Sequence, residues 1–554
     1  MTDRNAHTAR EDAQEGPSLP AQGDLRRQLL LLTLTSIATG LAWASAHPGP
    51  SIWWLIFLVV PGWLTVAHLT RAWGLGWTLG FGFLLGMAAF LPMLRWIAAP
   101  ATTFGWLLLA STQAAWVAAA TGAVRRWTTG RSVAVIGPVI WTGMEVLRAR
   151  LPLTGFGWGD LATAHTDASW MLTVARVLGA DGLTLLTASL GAFVWVTVVH
   201  AVPVWRSDEE LPSGPTVVPV AARMVAVLDV VRPTMIGAVA IGALGTLITA
   251  ELPPTIQLVD VLVVQGNDGA QTFVGDAEDQ RIANAHADAT VAAIADGPVP
   301  DLTVWAENAL DRDPSTNAGA DLLPALQRAA AAADGRLLTG VIRAGDGAGT
   351  FRNSLVVVGA DGVLGDAYDK QQVVPFGEYV PWRSLLGGFP PLRRVPRDAI
   401  AGTGPVTLTV GEIKIAAVIC FETLFAPLVH AAVNDGDAGL VVAGTNDASF
   451  GRGAESAQHV NQSRLRAVET GRTVIHAAIS GTSAIITPNG DITELAPVFE
   501  VATIRATVPI VTGRTPAAVI ARPFSMLLTS AALALTALGP LLERRRTRTP
   551  KAAS

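Results

Sequence analysis

An α/β domain inserted in a bundle of eight membrane-spanning helices is the architecture the sequence predicts, and three observations carry it. Half of the residues are hydrophobic and only 15% are charged, against roughly 25% charged in an ordinary soluble domain. Eight segments are predominantly apolar over the ~20 residues that a bilayer-spanning helix needs. Between the seventh and the eighth, residues 251–522 alternate short apolar, partly β-branched runs with helical ones, the pattern of helices packed over sheets. A net charge of −5 argues against nucleic acid as a partner. The single cysteine excludes an intrachain disulfide.

Residues 1–24 are polar, mixed in charge and without apolar period, so they read as a disordered tail. The expected spans are 28–46, 51–69, 75–94, 104–124, 132–149, 180–200, 233–250 and 523–542, so that residues 25–250 hold seven helices and 523–542 the eighth. Ala44, Ser45 and Ala46 resemble a signal-peptide cleavage site, but the polar extension ahead of the first span and the many spans behind it favour a retained helix. Arg26, Arg27, Arg71, Arg125, Arg126, Arg131, Arg206, Arg223, Arg232 and the cationic residues of the 543–554 tail all fall on one side if the helices alternate. The positive-inside rule then makes both termini cytoplasmic and places 251–522 outside the cytoplasm.

Two features of the membrane region stand out. Glu145 and Arg148 interrupt the fifth span, and ionisable residues in a span are functional candidates. Three residues apart they share a helical face, so a structural pair explains them equally well. The loop at 151–161 (LPLTGFGWGDL) mixes Gly, Pro and aromatics and suits the membrane interface, where Trp is favoured.

Within 251–522, strands are expected at 256–264, 302–306, 337–342, 354–358, 439–443, 473–479 and 484–487. Helices are expected at 276–295, 320–333, from just after residue 420 to about 433, and at 454–471. There is no GxGxxG and no Walker sequence to support nucleotide binding. The nine histidines show no ligand-like spacing, so neither a cofactor nor a metal is expected.

The candidate chemistry gathers at three strand ends. Cys420 closes the apolar run KIAAVIC, and a side chain at a strand-to-helix turn is lifted clear of the sheet, where α/β enzymes place nucleophiles. A buried, inert thiol is the competing reading of the same position. Glu307 follows the strand 302–306 in VWAEN, and apolar surroundings beside Trp305 would raise its proton affinity. Lys370 follows a short strand in YDKQQVVPFGEYVP. Each alone reads as a solvated charge, but together they supply a base, a cation and a nucleophile, and a thiol of pKa roughly 8.5 needs such company for activation. Glu378 and Glu422 are candidate supporting carboxylates, with a surface location an equal alternative for Glu422. The segment 377–396 carries Tyr379, Trp382, Leu385, Leu386 and Phe389 with few charges. It is expected to form a lipid-contacting lid.

VWAEN, DKQQVVPFGEYVP and ICFET resemble the three signature stretches of the nitrilase (carbon-nitrogen hydrolase) superfamily, with Glu307, Lys370 and Cys420 matching its Glu-Lys-Cys triad. An external domain flanked by eight spans is similar, within that superfamily, to the apolipoprotein N-acyltransferase family. VQGN at 264–267, TND at 445–447 and QH at 458–459 are in the same style. The sequence departs from the family at Ser449 of NDASFG, where an aromatic is common, and lacks the family's tryptophan shortly after QGN, with Phe273 or Val274 nearby.

The resemblance implies an αββα sandwich on a membrane platform, in a bacterial plasma membrane, and a two-step acyl transfer without a cofactor. A phospholipid would donate an acyl chain to Cys420, and the thioester would pass it to the α-amine of a diacylglyceryl-cysteine at the start of a lipoprotein. Glu307 would serve as base, and Lys370 with backbone N–H groups near Phe421 as oxyanion donors. The protein is expected to act as a monomer. A membrane-tethered amidase and a degenerate, non-catalytic binder are the alternatives.

Overall fold

The structure is a computed structural model that describes residues 22–201, 251–269, 276–295 and 297–548. The expected span at 233–250, Phe273 and Val274, Arg206, Arg223 and Arg232, and the two chain ends at 1–21 and 549–554 lie outside the described residues.

Among the described residues, seven helices form the membrane part: α1 (Gln22–Ser45), α2 (Val59–Thr70), α3 (Leu75–Met93), α4 (Ala98–Val124), α5 (Val133–Arg148), α6 (Ser169–Ala201) and, after the α/β domain, α12 (Pro516–Arg548). Helix α1 takes in residues 22–24 of the expected tail, and α12 begins before 523 and runs through residues 543–548. Among the described residues, six helical stretches are long and apolar enough to cross a membrane. Their outward faces carry Leu30, Leu34, Leu108, Met526 and Leu527, each more than half exposed, as a lipid-facing surface requires.

The fifth expected span is the exception. Helix α5 has 16 residues, about 24 Å of helix, which is short of a hydrocarbon core of about 30 Å. Most of it is buried against α4, α6 and α12, with Val135 exposed near its start. Gly143 permits that packing, since a Cβ there would lie 2.3 Å from the Ala532 Cβ of α12. Helix α6 bends at Gly179, whose φ is 73°. Its first part packs Met171, Leu172 and Ala175 against Leu465 and Val468 of the α/β domain, so the expected span 180–200 is only the part beyond the bend.

The α/β domain is built on two sheets. The first has the order β13-β1-β2-β3-β4-β5, with β6 (Asp398–Ala399) beside β4. It comprises β1 (Thr255–Gln265), β2 (Leu302–Trp305), β3 (Leu337–Ala344), β4 (Thr350–Val358), β5 (Leu364–Asp369) and β13 (Ala502–Val511). The second, β12-β11-β10-β9-β8-β7, comprises β7 (Thr407–Val410), β8 (Ile413–Ile419), β9 (Leu440–Thr445), β10 (Val474–Ala478), β11 (Ala484–Ile486) and β12 (Ile492–Leu495). Strands β1, β2 and β3 run parallel, as do β8, β9 and β10. Parallel neighbours need crossovers, and these are α7 (Asp276–Ile294), α8 (Leu323–Ala332), α10 (Ala426–Asn434) and α11 (Glu455–Thr470).

Strand periodicity sorts the core. Val259, Val261 and Val263 of β1 pack into the cluster shared with β8, β9 and β10. The alternate residues Leu262 and Val264 pack with Ala283, Ala287 and Leu326 of α7 and α8. Helices α10 and α11 add Val429, Ala432, Val460 and Ala467 to the cluster around the second sheet.

Strands β7, β12 and β13 were not expected from the sequence. All four residues of β12 are exposed, so it carries no burial signal. Strand β13 contains Pro509 and sits at a sheet edge, where the loss of one N–H is tolerated.

Polar bonds seat α11 on the membrane helices. Gln458 Oε1 accepts from the indoles of Trp96 and Trp158 at 3.2 and 2.6 Å, and its amide donates to Pro48 O at 3.1 Å. Arg464 donates to Asp167 at 3.0 Å, and Glu469 Oε1 accepts from Ala180 N at 2.6 Å.

Candidate active site

The parallel strands of both sheets end on one side, and the polar residues gather there. Glu307 lies two residues beyond β2, Lys370 directly beyond β5 and Cys420 directly beyond β8. Such carboxyl ends are where open α/β sheets hold their ligands.

Lys370 is 1% exposed and its Nζ lies 3.1 Å from Glu307 Oε1 and 2.7 Å from Glu378 Oε1. Asn353 donates to Glu307 Oε1 at 2.6 Å and to Glu378 Oε1 at 3.3 Å. The second oxygens are fixed by main-chain donors, Asn446 N to Glu307 at 2.8 Å and Val374 N to Glu378 at 2.7 Å. Burial opposes the Lys370 charge, but Glu307 and Glu378 outweigh it and hold the ammonium well above its ordinary range. Burial raises the Glu307 carboxyl, with Glu378 adding to the effect and Lys370 opposing it.

Cys420 is half-buried and left-handed, with φ 50°. For a residue other than Gly this costs roughly 1–3 kcal/mol and persists only where the surroundings over-determine it. Desolvation, Glu307 and Asp447 push its thiol well up, while Lys370 and a hydrogen bond with Thr445 oppose them. These effects together favour the protonated thiol over the thiolate.

Glu422 is fully buried, which removes the surface alternative. It does not bond Lys370. Oε1 accepts from Tyr368 Oη at 2.8 Å, Gln371 N at 2.7 Å and Gln372 N at 3.0 Å, and Oε2 from Ile419 N at 2.8 Å. It thereby ties the end of β8 to the segment after β5, placing Cys420 relative to Lys370. The ring of Phe421 stacks on Phe156 at 6.1 Å and meets Phe425 edge-on at 5.2 Å.

The expected lid includes a short helix, α9 (Arg383–Leu386). Trp382, Leu385 and Phe389 are 66%, 80% and 44% exposed, and Leu386 is half-buried. Phe389 meets Phe104 of α4 at 5.7 Å.

Other expectations change. Glu145 and Arg148 form no ion pair within 4 Å; each braces the loop that follows α5. Glu145 accepts from Trp141 Nε1 at 3.0 Å, Leu161 N at 3.3 Å and Thr184 at 3.1 Å. Arg148 donates to Phe156 O at 3.0 Å, Trp158 O at 2.8 Å and Gln113 at 3.1 Å. Trp158 is consequently buried, not interfacial, with its ring 4.9 Å from Trp96 and 5.8 Å from His459. Asn353, Asn446 and Asp447 were not singled out as site residues, although TND at 445–447 marked the place of the last two.

Histidine spacing suggested no metal ligands, yet Cys420 Sγ, the Asp447 carboxylate and a His459 ring nitrogen all lie within 4.8 Å of one another. His459 and Asp447 are already bonded to each other at 3.1 Å and to neighbouring threonines, so these donors are engaged without an ion.

Known proteins resemble the chain along both parts. Residues 39–193 match the apolipoprotein N-acyltransferase N-terminal domain, and residues 254–515 match the carbon-nitrogen hydrolase domain. The apolipoprotein N-acyltransferase of Photobacterium profundum is 27% identical over 517 residues, covering 89% of this chain and 91% of the relative. That of Rhizobium meliloti is 30% identical, covering 83% and 85%. That of Allorhizobium ampelinum is also 30% identical, covering 76% and 77%. Among solved structures, an amidase of the nitrilase superfamily from Nesterenkonia aligns over 47% of this chain and 94% of its own, at 19% identity and a TM-score of 0.35. Because the likeness runs through the membrane helices and the α/β domain alike, the chain belongs to the apolipoprotein N-acyltransferase family.

Proposed function

We propose that this protein N-acylates lipoproteins, moving a fatty acyl chain from a membrane phospholipid to Cys420 and then to the α-amine of an N-terminal diacylglyceryl-cysteine. The observation that carries the reading is the buried Lys370, held between Glu307 and Glu378 beside the only thiol of the chain.

In the first half-reaction Glu307 takes the thiol proton as sulfur attacks the ester carbonyl, and the carbonyl electrons move to oxygen. Lys370, with main-chain N–H groups near Phe421, stabilises that oxyanion. Collapse expels the glycerol oxygen, which takes the proton back from Glu307. The acceptor amine then attacks the thioester, gives its proton to Glu307, and the sulfur leaves and recovers it. Glu378 orients Lys370, and Glu422 holds the segment between them. No cofactor enters.

The reading extends to the architecture: an αββα sandwich inserted among eight spans, with α5 as a short fifth. Both termini face the cytoplasm of a bacterial cell, and the domain at 251–522 faces outward. The protein acts as a monomer. The exposed Trp382, Leu385 and Phe389, with half-buried Leu386 beside them, support a lid that meets lipid, since exposed apolar patches mark such contacts.

Purified protein offered phospholipid and a diacylated lipopeptide tests the proposal. Triacylated lipopeptide is the expected product. Free fatty acid or ammonia alone would make the protein a hydrolase, and no turnover would make it a binder.

A further inference from the structure

The residues beneath Cys420 have no part in the chemistry above, yet they form a connected hydrogen-bonded group. His459 of α11 is 1% exposed, and its Nε2 lies 3.0 Å from the main-chain carbonyl of Cys420 and 3.1 Å from Thr423 Oγ1. Thr423 Oγ1 donates to the same carbonyl at 3.1 Å. On the far side of the ring, Nδ1 lies 3.1 Å from Asp447 Oδ1. Asp447 is itself fixed by Thr445 Oγ1 at 2.8 Å and Ser456 Oγ at 3.2 Å.

A carbonyl oxygen can only accept, so Nε2 donates to it. We infer that His459 is a positioning residue for the nucleophile: oriented by Asp447, it holds the Cys420 carbonyl and so fixes the direction in which the thiol leaves the strand. The inference rests on the reading of Cys420 as the acyl-carrying residue.

Left-handed geometry at a residue other than Gly makes the clamp necessary. A turn of Cys420 to an ordinary negative φ rotates the chain about its N–Cα bond and carries its carbonyl away from both donors. The membrane part braces the same clamp. Trp158 packs on the His459 ring at 5.8 Å, and its indole is held at 2.6 Å by the preceding residue, Gln458. The junction between membrane helices and α/β domain thus reaches the nucleophile through two consecutive residues of α11.

The test uses the full-length protein in detergent and measures two rates on its single thiol by intact mass: alkylation by iodoacetamide, and acyl loading from phospholipid. In His459→Gln the amide reaches the place of Nε2, whereas in His459→Asn it reaches only that of Nδ1. The Asn variant is expected to be about tenfold slower in both rates, the equivalent of one hydrogen bond, with the Gln variant within about threefold of the parent. Parental rates in the Asn variant, or equal loss in both variants, would overturn the inference, the latter because it assigns the effect to the bulk of the ring. If the Asn variant does not fold, Thr423→Val removes the other donor to the carbonyl and is expected to slow alkylation about threefold; an unchanged rate overturns the clamp. Alkylation needs no acyl donor, so a clamp that fails and an acyl-transfer reading that fails give different patterns.

Discussion

Lys370 Nζ lies 3.1 Å from Glu307 Oε1, so the proposed base and the proposed oxyanion donor are already paired before substrate arrives. The pairing shapes the acid side of the pH profile. Glu307 acts as base only when ionised, and burial together with Glu378 raises its pKa above the ordinary value of 4.5. Loading of Cys420 should therefore fall, as pH is lowered, with a midpoint above 4.5. Glu378→Gln removes a charge that raises that pKa and should move the midpoint down while slowing loading about tenfold, through loss of a charge-assisted bond to Lys370. Acyl-enzyme formation followed by mass against pH measures both, and a midpoint that rises in the variant would contradict the pairing.

Phospholipid without acceptor should raise the intact mass by one acyl residue, removable by hydroxylamine and discharged by lipopeptide amine. Cys420→Ser and Glu307→Gln should show no adduct. Lys370→Ala should load slowly, since losing an oxyanion donor costs on the order of 3 kcal/mol, roughly a hundredfold in rate. An adduct that persists in Cys420→Ser places the nucleophile elsewhere.

Trp382→Ser combined with Phe389→Ser should slow loading from phospholipid vesicles several-fold and change the thermal unfolding temperature little, because Trp382 is 66% and Phe389 44% exposed. Equal loading rates would remove the lid from the mechanism.

Glu455 offers a test on stability. It is buried, one carboxylate oxygen has no hydrogen-bond partner, and burial together with Asp447 raises its pKa well above 4.5. In the unfolded chain the carboxyl loses its proton first, so its contribution is intact below 4.5 and is lost as pH rises through the folded value. Glu455→Gln cannot ionise. Its unfolding midpoint in denaturant should match the parent at pH about 4 and exceed it increasingly toward pH about 8. A constant gap across that range would show that Glu455 does not titrate on unfolding.

Much of the candidate site was legible because its residues sit at strand ends. A β-branched run ending in Cys420, a buried strand ending beside Glu307 and a short strand ending at Lys370 are local patterns, and local patterns survive in sequence. The motif spacing named the superfamily, and the apolar runs named the membrane part. Strands β12 and β13 escaped, because an exposed strand and an edge strand with a proline lack the alternation that marks buried ones.

By itself, the sequence determined the α/β alternation, the apolar helices and the three residues of the proposed triad, all set by short-range periodicity and residue chemistry. Only the tertiary structure decided which partners those residues meet. Asn353 and Asn446 reach Glu307 across 46 and 139 residues, and His459 reaches the Cys420 carbonyl across 39. It also turned Glu422 from a possible surface charge into a buried tie, and Glu145 and Arg148 from a possible pair into two separate braces. The physical reason is that a hydrogen bond forms within about 3 Å, and which distant side chains come that close is set by strand register and helix packing, which no local stretch of sequence encodes.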